Sequence, residues 1–154
     1  MKHLKFMTAL LAAGLTFAAC DKDENETPEQ QPVLEKTSYV GTLMVDQNNS
    51  TTYVQDSVTI DCTPSEDKGL VITFNQVSFS ERMPVKLDMD IPNVEYSEAD
   101  GKITLSGNNI VPLAMGGEFA KYTITNLTGN IAEGIISLSM KCGDYPLTFS
   151  GEKK

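Results

Sequence analysis

Residues 85–91, Val-Lys-Leu-Asp-Met-Asp-Ile, alternate without a fault: Val85, Leu87, Met89 and Ile91 share one parity, Lys86, Asp88 and Asp90 the other. This order separates apolar from charged side chains only if successive residues point to opposite faces, as along a β-strand. A helix would spread the three charges around its circumference. The same period recurs at Val58-x-Ile60-x-Cys62 and at Ile136-x-Leu138-x-Met140-x-Cys142. Strands are predicted over 39–47, 52–62, 70–80, 85–96, 102–107, 122–131, 135–142 and 145–150. The breaks between them carry turn chemistry at 46–49, 63–69, 99–101, 132–134 and 142–144, and the Asp100-Gly101 and Glu133-Gly134 steps supply the positive φ that tight hairpins need. No segment combines helical period with cap signals, although Met115 to Phe119 has room for a single helical turn.

A run of short strands with one apolar row each suits either a sandwich or a closed barrel. Consecutive short turns favour up-and-down order, and closure hides the strand edges that a sandwich leaves open. The expected fold is all-β, an eight-stranded antiparallel up-and-down barrel.

The first nineteen residues belong to a different physical regime. Lys2 and Lys5 give a basic start, Leu4 to Ala19 is largely apolar, and Phe17-Ala18-Ala19 closes the run on small residues before Cys20. That layout is an export signal, too short for a permanent membrane span. A cysteine directly after the small residues resembles a lipobox, which implies that Cys20 is lipidated and becomes the mature N-terminus. Asp21-Lys22-Asp23-Glu24-Asn25-Glu26 follows, then Pro28 and Pro32, a composition that cannot bury a core and keeps a tether extended. The acidic cluster beside the cysteine resembles the tag that sends lipoproteins of Bacteroides-type bacteria to the cell surface. The expected organisation is a signal peptide at 1–19, a lipidated cysteine and tether at 20–36, and a barrel at 37–151. Localisation is expected at the outer membrane, lipid-anchored and surface-facing.

Charge narrows the partners. Losing Lys2 and Lys5 with the signal takes the formal net charge from −9 to −11. An acidic chain without a basic stripe is a poor partner for phosphate backbones, so nucleic acid is not expected. It is also repelled by anionic lipid, which leaves membrane attachment to the anchor.

Chemistry is sparse. The only histidine, His3, leaves with the signal, so the mature chain has no imidazole for base catalysis or a typical zinc site. No catalytic residues, metal site or cofactor are expected, and the chain is read as not an enzyme. Asp88 with Asp90, and Glu95, Glu98 and Asp100 around a turn, read as solvated carboxylates, with weak Ca²⁺ binding the alternative for the first pair. Cys62 and Cys142 each end an inward row, and export to an oxidising compartment leaves two readings: a disulfide or two buried small hydrophobes. Asp56-Ser57-Val58 resembles a short O-glycosylation acceptor pattern of exported proteins.

The inward rows bring together Phe74, Leu87, Met89, Ile91, Leu138, Met140 and Phe149. These seven are candidates to line a cavity for a small apolar ligand, methionine adapting to varied guests; the alternative is a filled core. Ile110 to Gly117, apolar with a Pro and two Gly, reads as a rim or lid, or as a loop packed over one barrel end.

Tyr39-Val40-Gly41-Thr42-Leu43, Met89-Asp90-Ile91-Pro92-Asn93-Val94, Leu127-Thr128-Gly129-Asn130-Ile131 and Tyr145-Pro146-Leu147-Thr148-Phe149-Ser150-Gly151, behind a lipobox and tether, look like the calycin-like β-barrel lipoproteins of Bacteroides-type bacteria. The similarity runs through nearly all of residues 37–151 and implies a calycin or lipocalin-like barrel. Calycins at large hold apolar small molecules inside the barrel, although the Gly-x-Trp signature of true lipocalins is absent here and the chain has no Trp. The functional expectation is a non-catalytic, surface-anchored binding module for a small apolar ligand or a protein partner. Its alternative is an accessory module of an outer-membrane complex with a filled barrel and no ligand.

Overall fold

The computed structural model describes residues 34–67 and 69–154. The signal peptide, Cys20 and nearly all of the tether lie outside the described residues.

Ten strands form one sheet: β1 (Thr37–Asp46), β2 (Thr52–Pro64), β3 (Leu70–Val77), β4 (Leu87–Ala99), β5 (Lys102–Gly107), β6 (Leu113–Ala114), β7 (Gly117–Glu118), β8 (Ile124–Ala132), β9 (Ile135–Cys142) and β10 (Tyr145–Lys153). Eight of them, all but β6 and β7, close into an antiparallel up-and-down barrel. The first and last strands pair, Tyr39 with Lys153 through Val45 with Leu147. On the other side β3 meets β4. Closure pairs each of the eight strands on both sides and leaves only a short stretch of one edge of β4 without a partner.

The remaining two strands are an inserted hairpin between β5 and β8. It occupies the stretch Met115 to Phe119 that had room for a helical turn, because Met115 (φ 54°) and Gly116 (φ 86°) both take left-handed backbone. Two consecutive positive φ values give the tight hairpin turn whose twist suits antiparallel strands. A turn of 3-10 helix falls just beyond, at Ala120–Tyr122.

Four strands carry an extra residue, and each time a polar residue takes positive φ: Ser57 in β2, Gln76 in β3, Asn93 in β4 and Asn126 in β8. These bulges bend and coil the strands enough to close a small barrel. They also shift the apolar phase from every second to every third residue, so Phe74 is followed inward by Val77, Ile91 by Val94 and Ile124 by Leu127. Side chains clip the bulges in place. Asp88 Oδ1 accepts from the Gln76 backbone N–H (2.8 Å) and from Gln76 Nε2 (2.9 Å). Asn108 Oδ1 accepts from the Asn126 N–H (3.1 Å).

Leu87, Met89 and Ile91 face inward, but Val85, which shares their parity, precedes β4 and is 58% exposed. The alternation there continues two residues beyond the strand that motivates it.

Cys62 and Cys142 are buried and free. Both end inward rows, but at opposite ends of the barrel. Cys62 pairs with Thr37 at the start of β1, beside the end of β10, whereas Cys142 pairs with Tyr145 at the start of β10. About eight residues of β10 separate the two levels, roughly 25 Å of strand, against a limit near 7 Å between bridged Cα atoms. Of the two readings, the one that fits is two small buried hydrophobes. Burial pushes each thiol up to about 12, with the neighbouring Asp61 charge adding to the effect at Cys62.

Candidate functional site

The lumen is the first place to look, and side chains fill it. Phe74 on β3 and Phe149 on β10 belong to strands separated by β2 and β1, yet their rings meet edge to face with centroids 6.0 Å apart. That contact crosses the barrel interior. Phe74, Met89, Ile91 and Phe149 are at most 1% exposed, and Leu87, Leu138 and Met140 are buried with them in one apolar cluster. A side chain bordering a void large enough for water would keep accessible surface there. The seven candidate lining residues thus spend their surface within the apolar cluster, as the filled-core alternative has it and an eight-stranded barrel permits. The end carrying the β3–β4 loop is plugged by Phe79 stacked on Tyr122 (5.3 Å), with Phe119 against the same ring (4.9 Å).

Outside, two concavities stand out. One, of about 560 Å³, opens at the plugged end between Gln47, Asn49, Tyr53, Arg82 and Tyr145. Much of its polar lining is already committed. Gln47 Nε2 donates to the Val45 and Phe79 carbonyls (3.3 and 2.7 Å), Asn49 Oδ1 accepts from the Thr51 N–H (3.0 Å), and the Tyr53 and Ser78 hydroxyls are bonded at 2.6 Å. Those bonds staple loops together.

The other, of about 690 Å³, is a cleft in the barrel wall, and its origin lies in strand pairing. One edge of β4 is shared by two partners. β6 takes Met89 and Asp90, and β5 takes Glu95 to Ala99. Ile91 to Val94 face neither, and this gap coincides with the Pro92–Asn93 bulge. Proline has no N–H to leave unpaired, so it suits a strand edge at such a site. Across the gap the chain leaves β5 at Gly107, runs through Asn108 and Asn109 (φ 55°), and is pinned where Ile110 and Ile124 exchange backbone bonds of 3.0 and 2.7 Å. The Phe119 N–H donates to the Pro112 carbonyl (2.8 Å) and closes the hairpin over the cleft.

The floor is apolar: Leu127 is 1% and Ile110 9% exposed. Val111 and the more open Leu113 form one wall. Asn93, Asn108 and Asn109 contribute amides, and Glu95 and Glu118 the carboxylates. From the stretch Ile110 to Gly117, which reads as rim or loop, Ile110, Val111 and Leu113 line this cleft; the amides, Glu95 and Glu118 were not foreseen as a group. The local signals were Pro92-Asn93 inside a strand and Gly107-Asn108-Asn109 at the end of another. Joining them requires knowing where β5 leaves β4.

The carboxylate pair of β4 has structural partners. Asp90 accepts from the Thr73 hydroxyl (2.6 Å), and Asp88 is spent on Gln76, whose backbone N–H and then side-chain amide hold its carboxyl below the usual carboxylate range. Among the described residues no three His, Cys, Asp or Glu side chains group to hold a metal ion. Ser57 is exposed at the β2 bulge. No family model, no curated protein and no solved structure matches the chain.

Proposed function

We propose that the protein is a non-catalytic binding module, lipid-anchored at Cys20 to the outer membrane and displayed on the cell surface, which engages a protein partner on its outer wall. In this reading the barrel interior is a structural core, and the accessory role expected as the alternative becomes partner binding without an internal ligand. The observation that carries it is the Phe74–Phe149 contact across the lumen, together with the cleft that opens outward where β4 lacks a partner. The geometry of entry supports the same view. The described chain enters at β1 beside the end of β10, at the barrel end that holds the β4–β5 and β8–β9 turns, whereas the cleft opens at the far end of β5.

Replacing Cys20 with Ala abolishes lipidation and releases the chain in soluble form, since no segment after Ala19 is apolar enough to hold a membrane. Native mass spectrometry of that released chain is expected to give the bare protein mass. A retained lipid-sized adduct contradicts the outward-binding reading, and a Cys20→Ala chain that stays in the membrane fraction contradicts the anchor. Replacing Asp21, Asp23, Glu24 and Glu26 with Ala is expected to leave the protein lipidated but shielded from protease added to intact cells. Continued cleavage would reduce the acidic segment to a spacer.

A further inference from the structure

We propose that the wall cleft is a docking slot for an extended segment of a partner protein in which apolar residues alternate with lysine or arginine, an inference that rests on the outward-binding function above. Its shape fits an extended chain. The gap lies along β4 between Ile91 and Val94, between the ends of β5 and β6, and β7 is the outermost strand of the sheet. A segment laid in the gap runs parallel to the wall for roughly 10–13 Å, the length of three or four extended residues.

Its chemistry fits a peptide. Asn93 and Asn109 each offer an amide with both donor and acceptor capacity, the pair of functions that peptide groups present. Asn108 spends its Oδ1 on the Asn126 N–H and keeps its NH₂. Leu113 is 40% exposed above a floor of Ile110 and Leu127, so an apolar side chain entering the slot covers surface that the fold leaves open. An occupant with period-two alternation places its apolar residues on that floor and its other residues at the rim.

Its charge selects those other residues. Glu95 on β4 and Glu118 on β7 both line the cleft, and no Lys or Arg does. The chain as a whole carries −9, so the long-range field draws in a basic segment and repels an acidic one. A purely apolar occupant would leave both carboxylates without a role.

The test is fluorescence anisotropy of the full chain with three labelled hexapeptides that alternate valine with lysine, serine or glutamate. The lysine peptide is expected to bind about tenfold more tightly than the serine peptide, and the glutamate peptide to bind weakest. The double variant Glu95→Gln/Glu118→Gln is expected to lower lysine-peptide affinity by about tenfold, to the level of the serine peptide. Asp144→Asn/Glu152→Gln removes the same charge on the β9–β10 hairpin, across the barrel, and is expected to change it less than about twofold. Absence of binding, equal affinity for all three peptides, or equal loss from both double variants overturns the inference. Saturable entry of an apolar fluorophore into the lumen would instead overturn the outward-binding reading, and the two failures are read in separate titrations.

Discussion

The two sides of β4 obey different rules. On the lumen side Leu87, Met89, Ile91 and Val94 are buried in the apolar cluster that fills the barrel. On the outer side the same strand carries a bulge, an edge with no partner between Ile91 and Val94, and a cleft of amides and carboxylates. Packing is concentrated on one face and open polar groups on the other. The bulge allows both: an extra residue frees a short stretch of backbone without moving Met89 or Val94 out of the core.

The largest predicted contrast lies between these two faces. Phe149→Ala removes half of the contact across the lumen and is expected to cost about 3–5 kcal/mol, whereas Leu113→Ala at the cleft is expected to cost less than about 1 kcal/mol. Urea midpoints of the two variants measure the difference. Comparable losses would mean that the cleft wall is part of the core.

Titration sharpens the same contrast. With both thiols pushed up to about 12 by burial, Cys62 and Cys142 stay neutral in the folded chain. Below about pH 8.5, the ordinary thiol value, both folded and unfolded states are protonated and stability is unaffected. Above it the unfolded chain ionises first, so native stability is expected to fall as pH rises toward the folded value. A thiol reagent at neutral pH is expected to modify neither cysteine until denaturant unfolds the barrel. Rapid native modification of either one would contradict the packing at that end.

The bulge itself is testable at Asn93, whose φ is 56°. Asn93→Gly is expected to be nearly neutral, while Asn93→Val, strained in left-handed backbone, is expected to lose roughly 1–2 kcal/mol. Equal stability of the two would place the bulge elsewhere. The smallest expected effect is at Asp88. Its carboxyl is held low by the Gln76 N–H and amide, so its stabilisation is present above the ordinary carboxylate value and is lost as pH falls through the lower folded value. Asp88→Asn is therefore expected to flatten the acid limb of the stability curve through a small loss at neutral pH, with no change at low pH, where the native carboxyl is already protonated.

Most of the barrel was legible because its information is local. Asp100-Gly101 and Glu133-Gly134 announce tight turns, and the parity of Leu87-Met89-Ile91 or Leu138-Met140 assigns a face without knowledge of any partner strand. The bulges were written less plainly, as apolar residues three apart where two is the rule: Phe74 and Val77, Ile91 and Val94, Ile124 and Leu127. The cysteines show the limit of parity. It correctly placed both thiols inside, but it carries no information about height along the barrel, and height excludes the bridge. Nor does parity report how far opposite rows reach across the lumen, which is what separates a filled interior from a cavity. The cleft was harder still, because it exists where β5 and β6 divide one edge of β4.

The central claim is that this barrel is closed inside and binds outside. The most direct measurement is a titration of the full chain with an environment-sensitive apolar fluorophore, run on the native protein and on Met89→Phe. The account predicts no saturable uptake by the native chain, and a loss of roughly 1–3 kcal/mol in the variant as the added bulk overpacks the core around Phe74. Saturable uptake by the native protein, weakened by a Met89→Phe substitution that leaves stability unchanged, would show an open lumen and contradict it.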